Sequence, residues 1–261
     1  MNIPENVLAM APWSYSKAGN AISCPYLFHM QYVDKVAPAE TAVNLPMEIG
    51  NAAHLAIELA LDGMDVEDAF TTIAKSDAYI EAVKEGVRDY REAVEEFVTG
   101  FNTYRKAFRL TTVQTEGKYA IMPDFTSTTF YNNDCLIRGK IDLLGITHAG
   151  RCLVIDHKSG MVRPISEHQM QLDIYAVMAC AKYPQITEVR GAIHHMGAEK
   201  DAQGRRTHWS SEYSTEAVTT VLRKNLVAWL TEAAEAAATK EPRKNWKCKN
   251  CVYKSTCPLY T

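Results

Sequence analysis

The sequence predicts an α/β protein in which a central mixed β-sheet is flanked by helices, and three observations predict it. From about residue 112 to residue 158, β-branched and apolar residues recur at period two, broken by turn-forming Asn132-Asn133-Asp134 and His148-Ala149-Gly150. Helical patterns precede that meander. A further helical stretch after it leads into another strand-like run, the order a strand–helix–strand crossing requires. The composition agrees: 261 residues, 47% hydrophobic and 23% charged, is the balance of a globular chain rather than a disordered or fibrous one.

Taken in order, Ser14 to Val33 reads as a helix, with Ser14 or Ser16 as N-cap and Ile22, Leu27, Met30 and Val33 as its apolar positions. A loop with Pro38 and Pro46 follows, then an alanine- and leucine-rich helix, Met47 to Leu61, stopped near Gly63. From Asp65 to Arg109 the pattern is again helical, with many charges on one side, as a solvated face has. Thr112–Met122, Cys135–Thr147 and Arg151–Lys158 read as strands. After them come a helix from Ser166 to Lys182, a strand at Glu188–Met196, a short strand at Thr207–Ser210 and a long helix from Thr215 to Thr239. The expected organisation is a single domain: a helical part over 1–110 carrying Cys24 and His54, a sheet core over 111–215, and a helix with a basic, cysteine-bearing tail over 216–261.

The formal net charge of −3 provides no general cationic field, so any polyanion must be met by a local patch or by bound metal ions. No stretch approaches the roughly 18 apolar residues of a membrane span, and the opening residues lack a signal peptide's cationic head and apolar core. The expectation is a soluble, cytoplasmic protein without a membrane partner.

The sharpest local feature is Gly139-Lys140-Ile141-Asp142 followed by Ile155-Asp156-His157-Lys158. An antiparallel pairing about a turn centred on Ala149 places Asp142 directly opposite Asp156. Like charges so placed destabilise a strand pair. Alternation puts Lys158 on the Asp156 face. Two carboxylates and an ammonium among apolar strand positions suit a divalent cation such as Mg²⁺ or Mn²⁺, which prefers hard oxygen ligands and leaves positions for water and phosphate. A surface hairpin with a cross-strand salt bridge is the plainer alternative. His54, on the alanine-rich helix, is either a packed histidine or a third ligand, and Gly50 one turn earlier permits close approach of a phosphate or another backbone. Gln171 and Tyr175 share a helix face at i, i+4. Glu116 is a further carboxylate whose face the pattern leaves undefined.

Seven cysteines, an odd number, argue against a disulfide framework in a reducing compartment. Cys135, Cys152 and Cys180 stand singly in apolar stretches. Cys24, Cys248, Cys251 and Cys257 read as a metal site, for zinc or an iron–sulfur cluster. The Cys-Pro dipeptide closing a close-spaced trio is nearer the iron–sulfur pattern. The tail also carries Arg243, Lys244, Lys247, Lys249 and Lys254 with Trp246 and Tyr253 interleaved, either a solvated tail or a surface for single-stranded nucleic acid.

Together these residues resemble the iron–sulfur branch of the PD-(D/E)xK nuclease superfamily, the RecB-type exonucleases that include CRISPR-adaptation nucleases and phage relatives. Ser14-Tyr15-Ser16 through Cys24-Pro25-Tyr26-Leu27-Phe28, Gly50-x3-His54, Gly139-Lys140-Ile141-Asp142, Ile155-Asp156-His157-Lys158, Gln171-x3-Tyr175 and the last three cysteines occur in that family's order, across nearly the whole chain. The resemblance implies a restriction-endonuclease-like core with a helical N-terminus and C-terminal tail stapled by a [4Fe–4S] cluster on Cys24, Cys248, Cys251 and Cys257. It implies a Mg²⁺- or Mn²⁺-dependent DNA exonuclease acting at single-stranded or unwound ends, with Asp142, Asp156 and Lys158 catalytic. His54, Asp142, Asp156 and the backbone carbonyl of His157 would hold the metal, and Gln171 and Tyr175 would position the DNA. Recombination, repair or CRISPR-adaptation proteins would be its partners. A structure-specific or nicking endonuclease and a non-catalytic DNA-binding adaptor are the rival activities. Two departures stand out: Asp156 replaces the glutamate of many relatives, and no G-x4-G-K-[ST] motor motif is present.

Overall fold

The structure, a computed structural model, describes residues 2–38, 45–73, 77–84, 89–200 and 206–260. Its contacts gather into two compact units: Val43–Gly117 with Lys140–Val218, and Met1–Ala42 with Lys118–Gly139 and Thr219–Thr261. Among the described residues, no helix is long and apolar enough to cross a membrane.

The strands are β1 (Leu110–Ile121), β2 (Ser127–Thr128), β3 (Ile137–Thr147), β4 (Arg151–Lys158), β5 (Glu188–His195) and β6 (Thr207–Ser214). In the first unit the strand order is β1-β3-β4-β5-β6. β3 and β4 pair antiparallel, β4 and β5 parallel, β5 and β6 antiparallel, so the expected mixed sheet is present. The parallel step is made by helix α8 (Gln169–Lys182), which follows a 3₁₀ turn at Ile165–His168 and crosses between β4 and β5. α8 is buried on every side from Gln171 to Ala179, and β4 is buried from Cys152 to His157. A strand covered on both faces reads as a continuous apolar run, as Leu153-Val154-Ile155 does.

The opposite face of the sheet carries α4 (Leu45–Leu61), α5 (Val66–Ile73), α6 (Asp77–Lys84) and α7 (Arg91–Ala107). Ile49, Ala53, Ile57, Phe70, Val94 and Phe101 form one cluster with Leu143, Leu153 and Ile155. The charged helical stretch is therefore amphipathic, with buried apolar residues of these helices joined to those of β3 and β4 in one core.

In the second unit, α1 (Glu5–Ala9), α2 (Tyr15–Ser23) and α3 (Pro25–Phe28) pack against α10 (Arg223–Ala237). The Ser14 hydroxyl caps α2 by accepting the Lys17 N–H at 3.1 Å. The single helix expected from Ser14 to Val33 is broken at Cys24, whose backbone is extended (φ −161°, ψ 96°). The cause is Pro25, which lacks an N–H and disfavours helical geometry in the residue before it. The helix expected from Thr215 likewise divides into α9 (Thr215–Ala217), a π-turn at Val218–Leu222 and α10. β6 runs to Ser214, longer than expected, because it pairs along most of β5.

Candidate active site and metal centre

The hairpin register is the one expected. Leu143 pairs with Ile155, Leu144 with Val154, Gly145 with Leu153 and Ile146 with Cys152, which sets Asp142 opposite Asp156. Gly150 makes the turn possible. Its φ is +81°, and a Cβ there would run into the Gln185 carbonyl oxygen. Beyond the last of these pairs the ladder opens, and the His157 N–H goes to the Asp142 carboxylate at 2.7 Å.

Two further potential ligands, His54 and Glu116, converge on Asp142. His54 Nδ1 lies 3.6 Å from Asp142 Oδ2 and 4.0 Å from Glu116 Oε1, and the ligand atoms of His54, Glu116 and Asp142 all lie within 4.8 Å of one another. Glu116 also pairs with the Lys140 ammonium. Its backbone is left-handed, φ +47°, an uncommon conformation for a residue with a side chain and one that clusters at functional sites. Sequence pattern left Glu116 unassigned because a residue with positive φ breaks the alternation that predicts faces. The neighbouring Gly117 was the only signal at hand.

The other half of the site is built around Asp156. One carboxylate oxygen is 2.7 Å from the Lys158 ammonium. The other accepts from the Gln171 amide at 2.7 Å and the Tyr175 hydroxyl at 3.2 Å. Gln171 also donates to Tyr175 (2.8 Å), and its carbonyl oxygen accepts from Lys158 (3.1 Å). Gln171 and Tyr175 are buried side chains gripping the carboxylate and the lysine, rather than exposed groups. The segment after Lys158 is held too. Ser159 sits against Gly50, where a Cβ would collide with it, and the Tyr90 hydroxyl donates to the Ser159 carbonyl. The group that approaches Gly50 closely is thus the Ser159 side chain, rather than the phosphate or backbone expected.

The electrostatics are those of a site short of positive charge. Burial, reinforced by the charge of Asp156, pushes the Asp142 carboxyl up to about 8. Burial lowers the His54 imidazole below its usual value, so near neutral pH it presents a lone pair. A buried, mutually repelling carboxylate pair beside a neutral imidazole and a third carboxylate matches the oxygen-rich donor set of Mg²⁺ or Mn²⁺. The His157 ring plays a different part. It packs edge-on against Phe97 (4.7 Å between centroids) and hydrogen-bonds His194 Nδ1 through its own Nδ1 (3.0 Å).

In the second unit Cys24, Cys248, Cys251 and Cys257 are not joined by disulfides. Cys24 and Cys257 are buried, Cys248 and Cys251 half-buried, and the Cys251 thiol, raised first by burial, also feels Cys24, Cys248 and Cys257. Hydrogen bonds join the surrounding segments: Asn245 to the Ser23 carbonyl (2.9 Å), Lys247 to Asn20 (2.9 Å), Arg243 to the Ile22 carbonyl (3.0 Å) and Tyr26 to the Thr256 carbonyl (2.7 Å). Trp246 is 69% exposed.

Among curated protein sequences none matches this chain. Among solved structures, the protein SSO0001 is 14% identical, with 94% of this chain and 96% of that one covered and a TM-score of 0.34. A protein from Eubacterium rectale described as a "putative exonuclease" is 10% identical over 96% of this chain and 92% of its own, with a TM-score of 0.48. A family model, that of the PD-(D/E)XK nuclease superfamily, matches residues 12–258. Asp142, Asp156 and Lys158 stand on an antiparallel hairpin inside that span, and with nearly the whole chain matched, this protein belongs to the PD-(D/E)XK nuclease superfamily.

Proposed function

We propose that the protein is a divalent-metal-dependent DNA exonuclease that hydrolyses phosphodiester bonds at single-stranded or unwound ends. The observation that carries this reading is the convergence of His54, Glu116 and Asp142 beside the Asp156–Lys158 pair. Mg²⁺ or Mn²⁺ would be held by His54, Asp142, Asp156 and the His157 backbone carbonyl, with Glu116 facing the same point. A cation there supplies Lewis acidity and neutralises the carboxylates. Lys158 holds the attacking water and meets the charge that develops on the phosphate. Gln171 and Tyr175 act on the DNA through the groups they grip, fixing Asp156 and the Lys158 ammonium in place.

Cys24, Cys248, Cys251 and Cys257 would hold a [4Fe–4S] cluster of structural function, with zinc as the alternative occupant. The mutual influence of the four thiols and the hydrogen bonds between α2 and the tail support a staple at that place. The basic tail with exposed Trp246 suits a single DNA strand. We place the enzyme in the cytoplasm, working with recombination, repair or CRISPR-adaptation proteins.

The test is digestion of end-labelled linear and circular DNA, single- and double-stranded, by anaerobically purified protein with Mg²⁺, Mn²⁺ or chelator. Metal-dependent loss of linear DNA with circular single strands intact is expected. Cutting of circles would point to an endonuclease, and DNA retention without cleavage to an adaptor.

A further inference from the structure

On the face of the sheet covered by α7 lies a cavity of about 730 Å³, within the size range of small-ligand pockets, that shares no lining residue with the metal centre. One wall is an aromatic ladder. Phe97, Phe101 and Tyr104 on one face of α7 are continued by Phe108 just past its end, each ring near-parallel to the next, with centroids 6.0, 6.4 and 4.3 Å apart. The facing wall includes Trp209.

Two guanidinium groups border the same space. Arg190 lies over the Trp209 ring at 4.7 Å and Arg151 over Phe108 at 5.8 Å. Register places them on one face, because Leu153, two residues after Arg151, pairs with Arg190. A third, Arg206, is already engaged. It is 3.2 Å from Glu96 and 3.7 Å from Glu92, so it serves as wall. Glu188, 3.6 Å from Arg151, and Glu212, opposite Arg190 on β6, are the nearby carboxylates.

Gly100 is the second signal. It sits inside a 17-residue helix, where glycine is the least favourable residue but proline, yet no heavy atom lies within 4 Å of where its Cβ would be. Packing does not require a glycine there. Gly100 is exposed and lines the cavity, so a side chain added there would enter the open space at its mouth.

We propose that this cavity is a nucleotide-binding site, with a nucleoside monophosphate as ligand. The base stacks between the α7 ladder and Trp209, and the phosphate takes Arg151 and Arg190. Glu212 and Thr207 also line the cavity and offer a carboxylate and a hydroxyl for the base edge. Inorganic phosphate would leave the rings unfilled, and an uncharged planar ring would leave the guanidinium groups unused. A mononucleotide satisfies both. The choice of nucleotide rests on the proposed DNA hydrolysis, which releases that class of product; the cavity itself does not.

The test is calorimetric titration of the full chain, with chelator and without DNA. The probes are dAMP, dTMP, deoxyadenosine, inorganic phosphate and a 5′-phosphorylated tetranucleotide. The monophosphates should bind one per chain, with deoxyadenosine and phosphate each at least about tenfold weaker and the tetranucleotide weaker than either monophosphate. Gly100→Leu, which fills the cavity with a better helix former, should abolish binding and leave DNA cleavage unchanged. Arg190→Met should weaken binding at least about tenfold. The proposal is overturned if wild type binds neither monophosphate, if Gly100→Leu binds them as wild type does, or if phosphate alone or the tetranucleotide binds as well or better. Because no cleavage enters the titration, a chain that binds nucleotide but spares DNA would sink the nuclease reading and keep the pocket.

Discussion

The carboxylate of Asp142 takes the backbone N–H of His157 at 2.7 Å, so the residue between the acidic and basic members of the Asp156-His157-Lys158 motif is pinned by the acid on the opposite strand. Position of one carboxylate and backbone path beside the other are therefore linked. Register, rather than any single side chain, builds the site.

Gly150 is where that register is set. With φ at +81° and the Gln185 carbonyl against its α-carbon, Gly150→Ala is expected to cost on the order of 2 kcal/mol of stability. It should also lower cleavage by displacing Asp142 from Asp156. Chemical denaturation with a parallel cleavage assay checks it, and an unchanged midpoint would mean that the turn relaxes freely.

Lys158 and Gln171 should separate by kinetics. Lys158→Ala removes the proposed catalytic ammonium and is expected to lower kcat by about 10² to 10⁴, while metal still binds. Gln171→Leu loosens both Asp156 and Lys158, so a smaller loss, about tenfold to a hundredfold, should come with weaker metal binding. Equal effects on metal affinity from the two variants would contradict this division of roles.

From about pH 7 to 8, above the range in which histidines titrate, the metal-free protein should lose stability as pH rises. With its carboxyl pushed up to about 8, folded Asp142 keeps a proton that the unfolded chain has released above about pH 4. Through this group the folded state binds more protons across that window, so its contribution to stability falls with pH until about 8, then levels; below about pH 7 the histidines His54, His157 and His194, whose pKa values burial lowers, act in the opposite direction. A divalent cation should reverse the trend, because it replaces the proton, and its affinity should climb over the same range. Thermal melts from pH 7 to 9, with and without Mg²⁺, give the slopes; Asp142→Asn should flatten the metal-free one.

Cys251→Ser should remove the proposed cluster from the second unit. Iron content and visible absorption are expected to vanish together. Melting should drop by several degrees, since α2 and the tail would lose the cluster and keep the hydrogen bonds of Asn245, Lys247 and Arg243. Iron-free, colourless wild type prepared without oxygen would remove the basis for this prediction.

Much of this was readable in the residues. The hairpin register followed from period-two alternation about His148-Ala149-Gly150, and the buried α8 from its apolar content, because both are local patterns. The break at Cys24 was legible too, in Pro25, but an unbroken apolar spacing outweighed it. Glu116 was not legible as part of the site, since its positive φ appears in no pattern. Gln171 and Tyr175 were found by spacing, yet spacing could not show that Asp156 rather than solvent receives them; that depends on how α8 crosses the sheet. The α7 cavity was hidden for a similar reason. An aromatic stripe reads as core until the space in front of it is seen.

The account stands on His54, Glu116, Asp142 and Asp156 forming one divalent-cation site. Equilibrium Mn²⁺ binding at about pH 8 tests this most directly. Wild type should take up Mn²⁺ at this site, with His54→Ala and Asp142→Asn each weaker by about tenfold or more. Mn²⁺ uptake that is absent from wild type, or that neither substitution alters, would contradict it.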